Sequence, residues 1–494
     1  MTFNFSVGNE SLALLSSTQL PNFVKAANVS SANHPSNNSY YITDEINSKV
    51  YQLNQSGTIV NTFDLSGQKP LSFSSENLQG EIVNYLIGSK NNRIQMFARK
   101  VSGLSTSFFD AASRVTTSPI ITSQNVDSTN FIVGLENGEI LKFTITRARD
   151  TVLAARGLLK NISTEVNFIN YNQNYYSVVS QNKIFGSDNS TITLPNNIIQ
   201  SALTVDAENK FVTVVLDSEG KIYCISDGKI FSEFRVGKKD EVSSFSIADI
   251  RGDGNNYIIY NKLNNIEAKN LSGVNADNFP YTYFGNANFI GQPLVGNILS
   301  GSNNQIISTT DDGQVYVIDP QNGKSIAPFP ISSSKIIPNT LMITNNSNTG
   351  KKTLSAVTQE NFFSIWDLKK LSSVSWSERL GNQFNNSFIP KATGRISQLE
   401  FFPQALTYNW PNPVYENKTY IRYFVSEDSK IDIKIFDITG NLIHQMNANA
   451  IGGMDNESVW DVSNVQSGVY LTRVEAVANS GEKKSHIIKI AVIK

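Results

Sequence analysis

The residues of this chain best suited to catalysis or metal binding are few and scattered. Its three histidines are His34, His444 and His486, and its one cysteine is Cys224. A Ser-His-Asp triad, a Cys-His nucleophile or a multi-histidine metal site needs an imidazole among its partners, and a single thiol forms neither an intrachain disulfide nor a cysteine cluster. Cys224 stands in "KIYCIS", where a small buried hydrophobe of a strand is expected. The most metal-like stretch is "DIRGDG", Asp249 to Gly254. A calcium loop sets oxygen ligands at alternate positions, because alternate residues of the turn point at the ion. Asp249 and Asp253 suit that pattern, but Arg251 places a positive charge in the slot between them. A connector held together by its own carboxylates is therefore expected, with a Ca2+ site as the alternative. No phosphate-cradling glycine loop, dinucleotide fingerprint or zinc-type cysteine spacing occurs. No catalytic residue is assigned, and no other cofactor is expected.

Composition narrows the classes further. Of 494 residues, 40% are hydrophobic, 10% aromatic and 17% charged, enough apolar surface for a large core and too much for a disordered chain. The polar remainder is rich in Asn, Ser and Thr, a balance common on extracellular β proteins. The formal net charge is -1, and Pro403 to Lys494 carries 9 Lys/Arg against 10 Asp/Glu. Neither part has the basic footprint that nucleic acid or anionic lipid demands. No apolar run approaches the ~18 residues of a membrane span. At the N-terminus the first basic residue is Lys25 and "LALL" is the longest apolar run of the opening stretch. That is not the pattern of a secretory leader, so the expectation is either a cytoplasmic chain or a start that lies after a removed leader.

A repeat positions most of the chain. Apolar strands following a polar or glycine turn begin at Val50, Ile94, Ile140, Ile184, Ile222, Ile266, Val315 and Phe363, at intervals of 38 to 49 residues. The clearest copy is "DDGQVYVIDPQNGK", Asp311 to Lys324. A period of this length matches a four-stranded propeller blade. Runs such as "FIVGLENGEILKFTI" and "FVTVVLDSEGKIYCIS" set two β-rich segments around Asn-Gly or Glu-Gly, the signature of a tight hairpin. Segments apolar on both faces, such as "VTVVL" and "VYVI", suit strands sandwiched between neighbouring sheets. The expected fold is all-β: a seven- or eight-bladed β-propeller over 1–391, a linker and leading strand over 392–410, and a small immunoglobulin-like β-sandwich over 411–494.

Within the repeats, "TTDDGQVYVIDPQNGKSI" resembles quinoprotein-type propeller repeats, whereas "SIADIRGDGNNYIIY" resembles the FG-GAP type and "SIWDL" a WD-repeat ending. The quinone resemblance implies a cofactor stacked on Trp or on a vicinal cysteine pair. The pair is impossible with one cysteine, and the only tryptophans before Pro403, Trp366 and Trp376, lie close together near the end of the repeat.

After Lys391 the period stops and prolines cluster. "WPNPV" (Trp410 to Val414), "KTYIRY", "IKIFDITGNLI", "WDVSNVQSGVYLTRVEA" and the terminal "IIKIAVIK" together resemble the C-terminal sorting domain of type IX secretion cargo from Bacteroidetes-like bacteria. Trp410, Pro411, Asn412, Pro413, Gly440, Gly468, Tyr470, Lys489 and Lys494 are the residues that carry the motif. Pro411 and Pro413 fix φ and remove amide donors, which predicts a stiff extended lead into the domain. Gly440 and Gly468 suit turns needing positive φ, and Tyr470 is expected to cover the core. A last strand bearing Lys489 and Lys494 offers an edge for strand addition. The resemblance implies passage across the outer membrane through the type IX translocon and its cargo-processing machinery, and a secreted or cell-surface location. The expected function is a non-catalytic binding or scaffold module with a glycan or protein ligand at the central opening or on the loops of one face. The alternative is a secreted carbohydrate-active hydrolase or lyase with carboxylates gathered from several blades.

Overall fold

The β-branched and aromatic runs form strands, and the polar turns between them reverse the chain into antiparallel meanders. A computed structural model describes residues 14–494 apart from 22–28, 33–38, 45, 55, 65–68, 79–80, 91–92, 101–102, 125–127, 147–151, 284, 298–303, 327–328, 346–351, 369–373, 383–384, 392–400 and 453. The chain divides into two compact units, Met1–Arg395 and Ile396–Lys494.

In the larger unit, six four-stranded antiparallel sheets follow one another over 29–64, 69–110, 120–161, 168–193, 198–235 and 245–282. The seventh sheet is built from 289–332, with the later strand Val374–Trp376 added beside its first strand, Phe289–Gly296. The eighth combines Met342–Asn345, Lys352–Val357 and Phe362–Leu368 with the N-terminal strand Leu14–Gln19 as its fourth member. Every one of the repeat anchors, from Val50 to Phe363, lies on the third strand of a successive sheet.

The seventh sheet shows why. Val315 to Ile318 are at most 5% exposed, because both faces of the third strand are covered. The turn before it needs Gly313, whose φ is +90° and whose added Cβ would stand 2.4 Å from the Ser333 carbonyl oxygen. After the strand, the Asp319 carboxylate accepts from the Gln321 amide at 2.9 Å and from Asn322 Nδ2 at 2.9 Å, holding the next turn. In the fifth sheet Asp217 holds the turn before the third strand, accepting from the amides of Glu219 at 3.0 Å and Lys221 at 2.8 Å.

Neighbouring sheets share apolar cores. Ile120, Ile132 and Ile140 of the third meet Ile169 and Val178 of the fourth, and one continuous core runs from Ala202 of the fifth to Leu368 of the eighth. The first and eighth sheets also share a core, in which Tyr40, Ile42, Tyr51 and Leu53 pack with Met342, Val357, Phe363 and Ile365. There the Tyr40 ring meets Phe363 edge-on at 5.1 Å, and the Tyr40 hydroxyl lies 2.5 Å from Thr353 Oγ1. Trp366 and Trp376 are both buried in the large core.

The smaller unit is a two-sheet sandwich. Tyr408–Trp410, Lys418–Val425 and Met454–Asp461 form one sheet; Leu442–Ala450, Ser429–Phe436, Gly468–Ala478 and Lys483–Val492 form the other, in that spatial order. Alternation along Ser429–Phe436 sends Ile431, Ile433 and Ile435 inward, against Ile421, Tyr423, Trp460 and Val474. Phe401 and Phe402 already belong to this core, and Tyr408–Trp410 is one of its strands, so residues 401–410 pack as part of the sandwich.

Candidate functional site

The "DIRGDG" connector uses its carboxylates on itself. Asp249 accepts from the backbone amides of Arg251 at 3.0 Å, Gly252 at 2.7 Å and Gly254 at 3.0 Å. Asp253 accepts from the Asn255 amide at 2.9 Å and the Tyr257 hydroxyl at 2.7 Å, and Arg251 reaches out to Asp277 at 3.0 Å. Among the described residues, no three His, Cys, Asp or Glu side chains converge in a metal-holding group.

The first strand of each meander has a free edge, and one segment runs along those edges. The strand Val374–Trp376 pairs with Phe289–Gly296 of the seventh sheet. Ile343 of the eighth donates its amide to the Ser377 carbonyl at 3.0 Å. Further on, Tyr171 of the fourth sheet donates to Asn386 O at 3.0 Å, Leu203 of the fifth to Ser387 O at 2.7 Å, and Ile389 returns a bond to Leu203 O at 2.9 Å. Asn385 Nδ2 reaches Pro119 O, just ahead of the third sheet, at 3.3 Å, and Asn256 Nδ2 reaches Pro390 O at 3.1 Å. Residues 374–382 and 385–391 thus reach the third to the eighth sheets. The segment carries Glu378, which is buried, whose Oε1 has no hydrogen-bond partner, and whose carboxyl burial pushes up to about 8.

Beside the end of this segment lies a groove of about 580 Å³ between the fifth and sixth sheets. Four turns wall it. Asp206 to Lys210 and Ser226 to Lys229 come from the fifth sheet, and Asn255 to Tyr257 and Asn270 to Ser272 from the sixth. All of them connect first to second or third to fourth strands, and so gather at one end of the two sheets. Asp206 caps its own turn by accepting from the amides of Glu208 at 3.0 Å and Lys210 at 2.8 Å. Lys210 pairs with Asp227 at 2.8 Å across the groove wall. Burial and the neighbouring Asp253 carboxylate hold the Tyr257 hydroxyl well above its ordinary value, so it stays a proton donor.

In the smaller unit, the proline stretch departs from the expected extended lead. The peptide bonds before Pro411 and Pro413 are both cis, and the chain crosses from one sheet to the other. Asn412 imitates a strand: its Nδ2 donates to Lys489 O at 2.8 Å, and its Oδ1 accepts from the Ala491 amide at 3.0 Å. Val414 continues the pairing, with its amide on Ala491 O at 2.7 Å and its carbonyl accepting from Ile493 at 2.9 Å. The outer edge of the last strand is therefore taken at its C-terminal end, and among the described residues its Lys483 to Ile488 part has no strand alongside. Lys494 is tied back as well, its amide to Ser467 Oγ at 2.9 Å and its Nζ to the Ser463 carbonyl.

Two glycines behave differently. Gly440 sits at φ +90° with open space around it, closing a turn whose Asp437 carboxylate accepts from the amides of Thr439 and Asn441, each at 2.9 Å. Gly468 needs no positive φ: the turn is complete before it, and it starts the strand Gly468–Ala478 in register with Val492. Tyr470 covers the core as expected. Its ring meets Trp460 edge-on at 5.4 Å, and its hydroxyl donates to Gln466 O at 2.7 Å, the arrangement of a tyrosine corner.

The family model described as the secretion system C-terminal sorting domain matches residues 409–489. The C-terminal unit is a sorting domain. Such a domain marks exported cargo and implies interaction with the type IX secretion machinery. Trp410 of the sorting domain is 60% exposed and lies in register with Tyr420 and Val459 on the outer face of the smaller sheet. No curated protein matches the chain. Among solved structures, Saccharomyces cerevisiae Sqt1 aligns at 13% identity over 72% of this chain and 99% of its own, with a TM-score of 0.52. BBS1N in complex with ARL6DN aligns at 13% identity over 75% of this chain and 98% of its own, with a TM-score of 0.44. The Sqt1 likeness shows a propeller-like fold and nothing of function. No helix among the described residues is long and apolar enough to cross a membrane.

Sequence reasoning found the motif of the sorting domain and the connector carboxylates. It missed the groove, whose residues come from four separate turns, and the edge-pairing segment after Leu368, which "VSW" and "FIP" signalled only as apolar patches beyond the last repeat.

Proposed function

We propose that the chain is an exported eight-bladed β-propeller, carried by its sorting domain and working outside the cell as a non-catalytic binding module. The observation that carries the export reading is the match of residues 409–489 to the sorting domain. The blade reading rests on the anchors, one on the third strand of each sheet, and on the core shared by the first and eighth sheets. In this ring the N-terminal strand Leu14–Gln19 completes the last blade, which removes two exposed sheet edges at once. The inner segment from 374 to 391 then lies along the axis, where the first strands face. A ligand would accordingly meet the loops of one face rather than an open central channel.

The test is surface labelling of intact cells. The full gene is expressed in a type IX-competent host and in its translocon mutant, and a membrane-impermeant amine reagent is applied to both. The reading expects labelled protein on or outside the competent cells and unlabelled protein retained in the mutant; equal labelling in both contradicts it. Polysaccharide hydrolysis assays on the purified protein are expected to give no turnover.

A further inference from the structure

The groove between the fifth and sixth sheets has the lining of a ligand site. Its volume of about 580 Å³ falls within the ~300–1,000 Å³ usual for small-molecule sites. Two of its four turns are held by Asp206 and Asn270, each accepting backbone amides of its own turn. Asn256 is 4% exposed. Its Nδ2 is held by Thr204 Oγ1 at 2.8 Å and by Pro390 O, while its Oδ1 has no hydrogen-bond partner. Phe231 leaves 49% of its surface in solvent amid a polar lining. The charged residues nearly balance, with Asp206, Glu208 and Asp227 against Lys210 and Lys229. A lining of that kind gives no net attraction to a polyanion or a polycation. It offers both donors and acceptors, together with the Phe231 ring.

We propose that this groove binds a neutral oligosaccharide, with a sugar ring stacked on Phe231 and its hydroxyls bonded to Lys229, Glu208 and the Asn and Ser side chains of the turns. A sugar presents an apolar C–H face and hydroxyls that both donate and accept, which is the complement of such a lining. This inference rests on the reading of the larger unit as an exported binding module and names its ligand class.

The test titrates the full chain with cellohexaose, xylohexaose and mannohexaose, with a polygalacturonate oligomer as the charged comparison. The wild type is expected to bind at least one neutral hexasaccharide more tightly than the charged oligomer. Phe231→Ala is expected to weaken that binding about ten-fold or more, and Lys229→Ala several-fold, with the thermal transition of both variants unchanged. The proposal is overturned if no neutral hexasaccharide binds at about 10 mM, if the charged oligomer binds better, or if both variants bind as the wild type does. None of those results alters the labelling outcome on intact cells, so failure here is distinct from failure of the export reading.

Discussion

Replacing Phe363 with alanine removes a fully buried ring from the place where the first and eighth sheets meet. Truncating a buried phenylalanine costs about 3–5 kcal/mol, since Tyr40, Ile42 and Ile365 cannot close over the space. Cys224 reports the effect from elsewhere in the same unit. It is the only cysteine of the chain, it is fully buried in the fifth sheet, and burial pushes its thiol up to about 12. A thiol reagent therefore reacts only when the unit opens, and where reclosing is fast the labelling rate tracks the opening equilibrium. If the sheets form one cooperative ring, a loss of about 3–5 kcal/mol at ~1.4 kcal/mol per factor of ten raises the Cys224 labelling rate by about two to three and a half orders of magnitude. Tyr40→Phe, which removes only the hydroxyl bonded to Thr353 and Thr344, is expected to raise it about five- to ten-fold, as the loss of roughly 1 kcal/mol predicts. An unchanged labelling rate in Phe363→Ala would refute the ring, because the seam would then open without the fifth sheet.

Other outcomes follow from single groups. Burial lifts Glu378 from its ordinary 4.5 to about 8, so the folded chain keeps a proton that the unfolded chain gives up. Stability should fall as pH rises from about 4.5 to about 8, and Glu378→Gln should flatten that slope in thermal melts; parallel curves would contradict the assignment. Asp437 moves the other way. Its hydrogen bonds to Asn441 and Thr439 depress it from 3.8 to about 2, so its contribution is complete above about pH 4 and is lost as pH falls through 2, and its carboxyl carbon should titrate near 2 by NMR. Asn412→Ala removes both side-chain bonds to the last strand. The Ala491 amide should then exchange roughly five- to thirty-fold faster, for a loss of about 1–2 kcal/mol, while amides in the middle of Ser429–Phe436 stay protected.

The repeat was legible because third strands such as those of the fifth and seventh sheets are covered on both faces, which forces a contiguous apolar run such as "VYVI" after a turn that needs glycine or asparagine. The sandwich was legible for the opposite reason: one-sided burial makes Ser429–Phe436 alternate. What stayed hidden is pairing across long separations. Leu14–Gln19 is largely exposed and mostly polar, and nothing in "LLSSTQ" names its partner Phe362–Leu368, which lies nearly the whole repeat region away. The segment that begins with Val374–Trp376 satisfies free strand edges through backbone groups, which carry no side-chain signature. Gly468 was misread because a glycine after "QS" looks like a turn residue, whereas its extended place opposite Val492 is set by the register of the two last strands. In "DIRGDG" Arg251 interrupts the ligand spacing, and the Asp249 and Asp253 carboxylates accept from amides of their own loop and from the Tyr257 hydroxyl.

Transplanting Ile396–Lys494 tests the account most directly. Fused to the C-terminus of an unrelated protein that carries its own inner-membrane leader and is expressed in a type IX-competent host, the segment is predicted to move that protein from the periplasm to the cell surface or the medium. The same fusion in a translocon mutant is predicted to remain periplasmic. Periplasmic retention in the competent host, with the fusion folded and intact, would contradict the account.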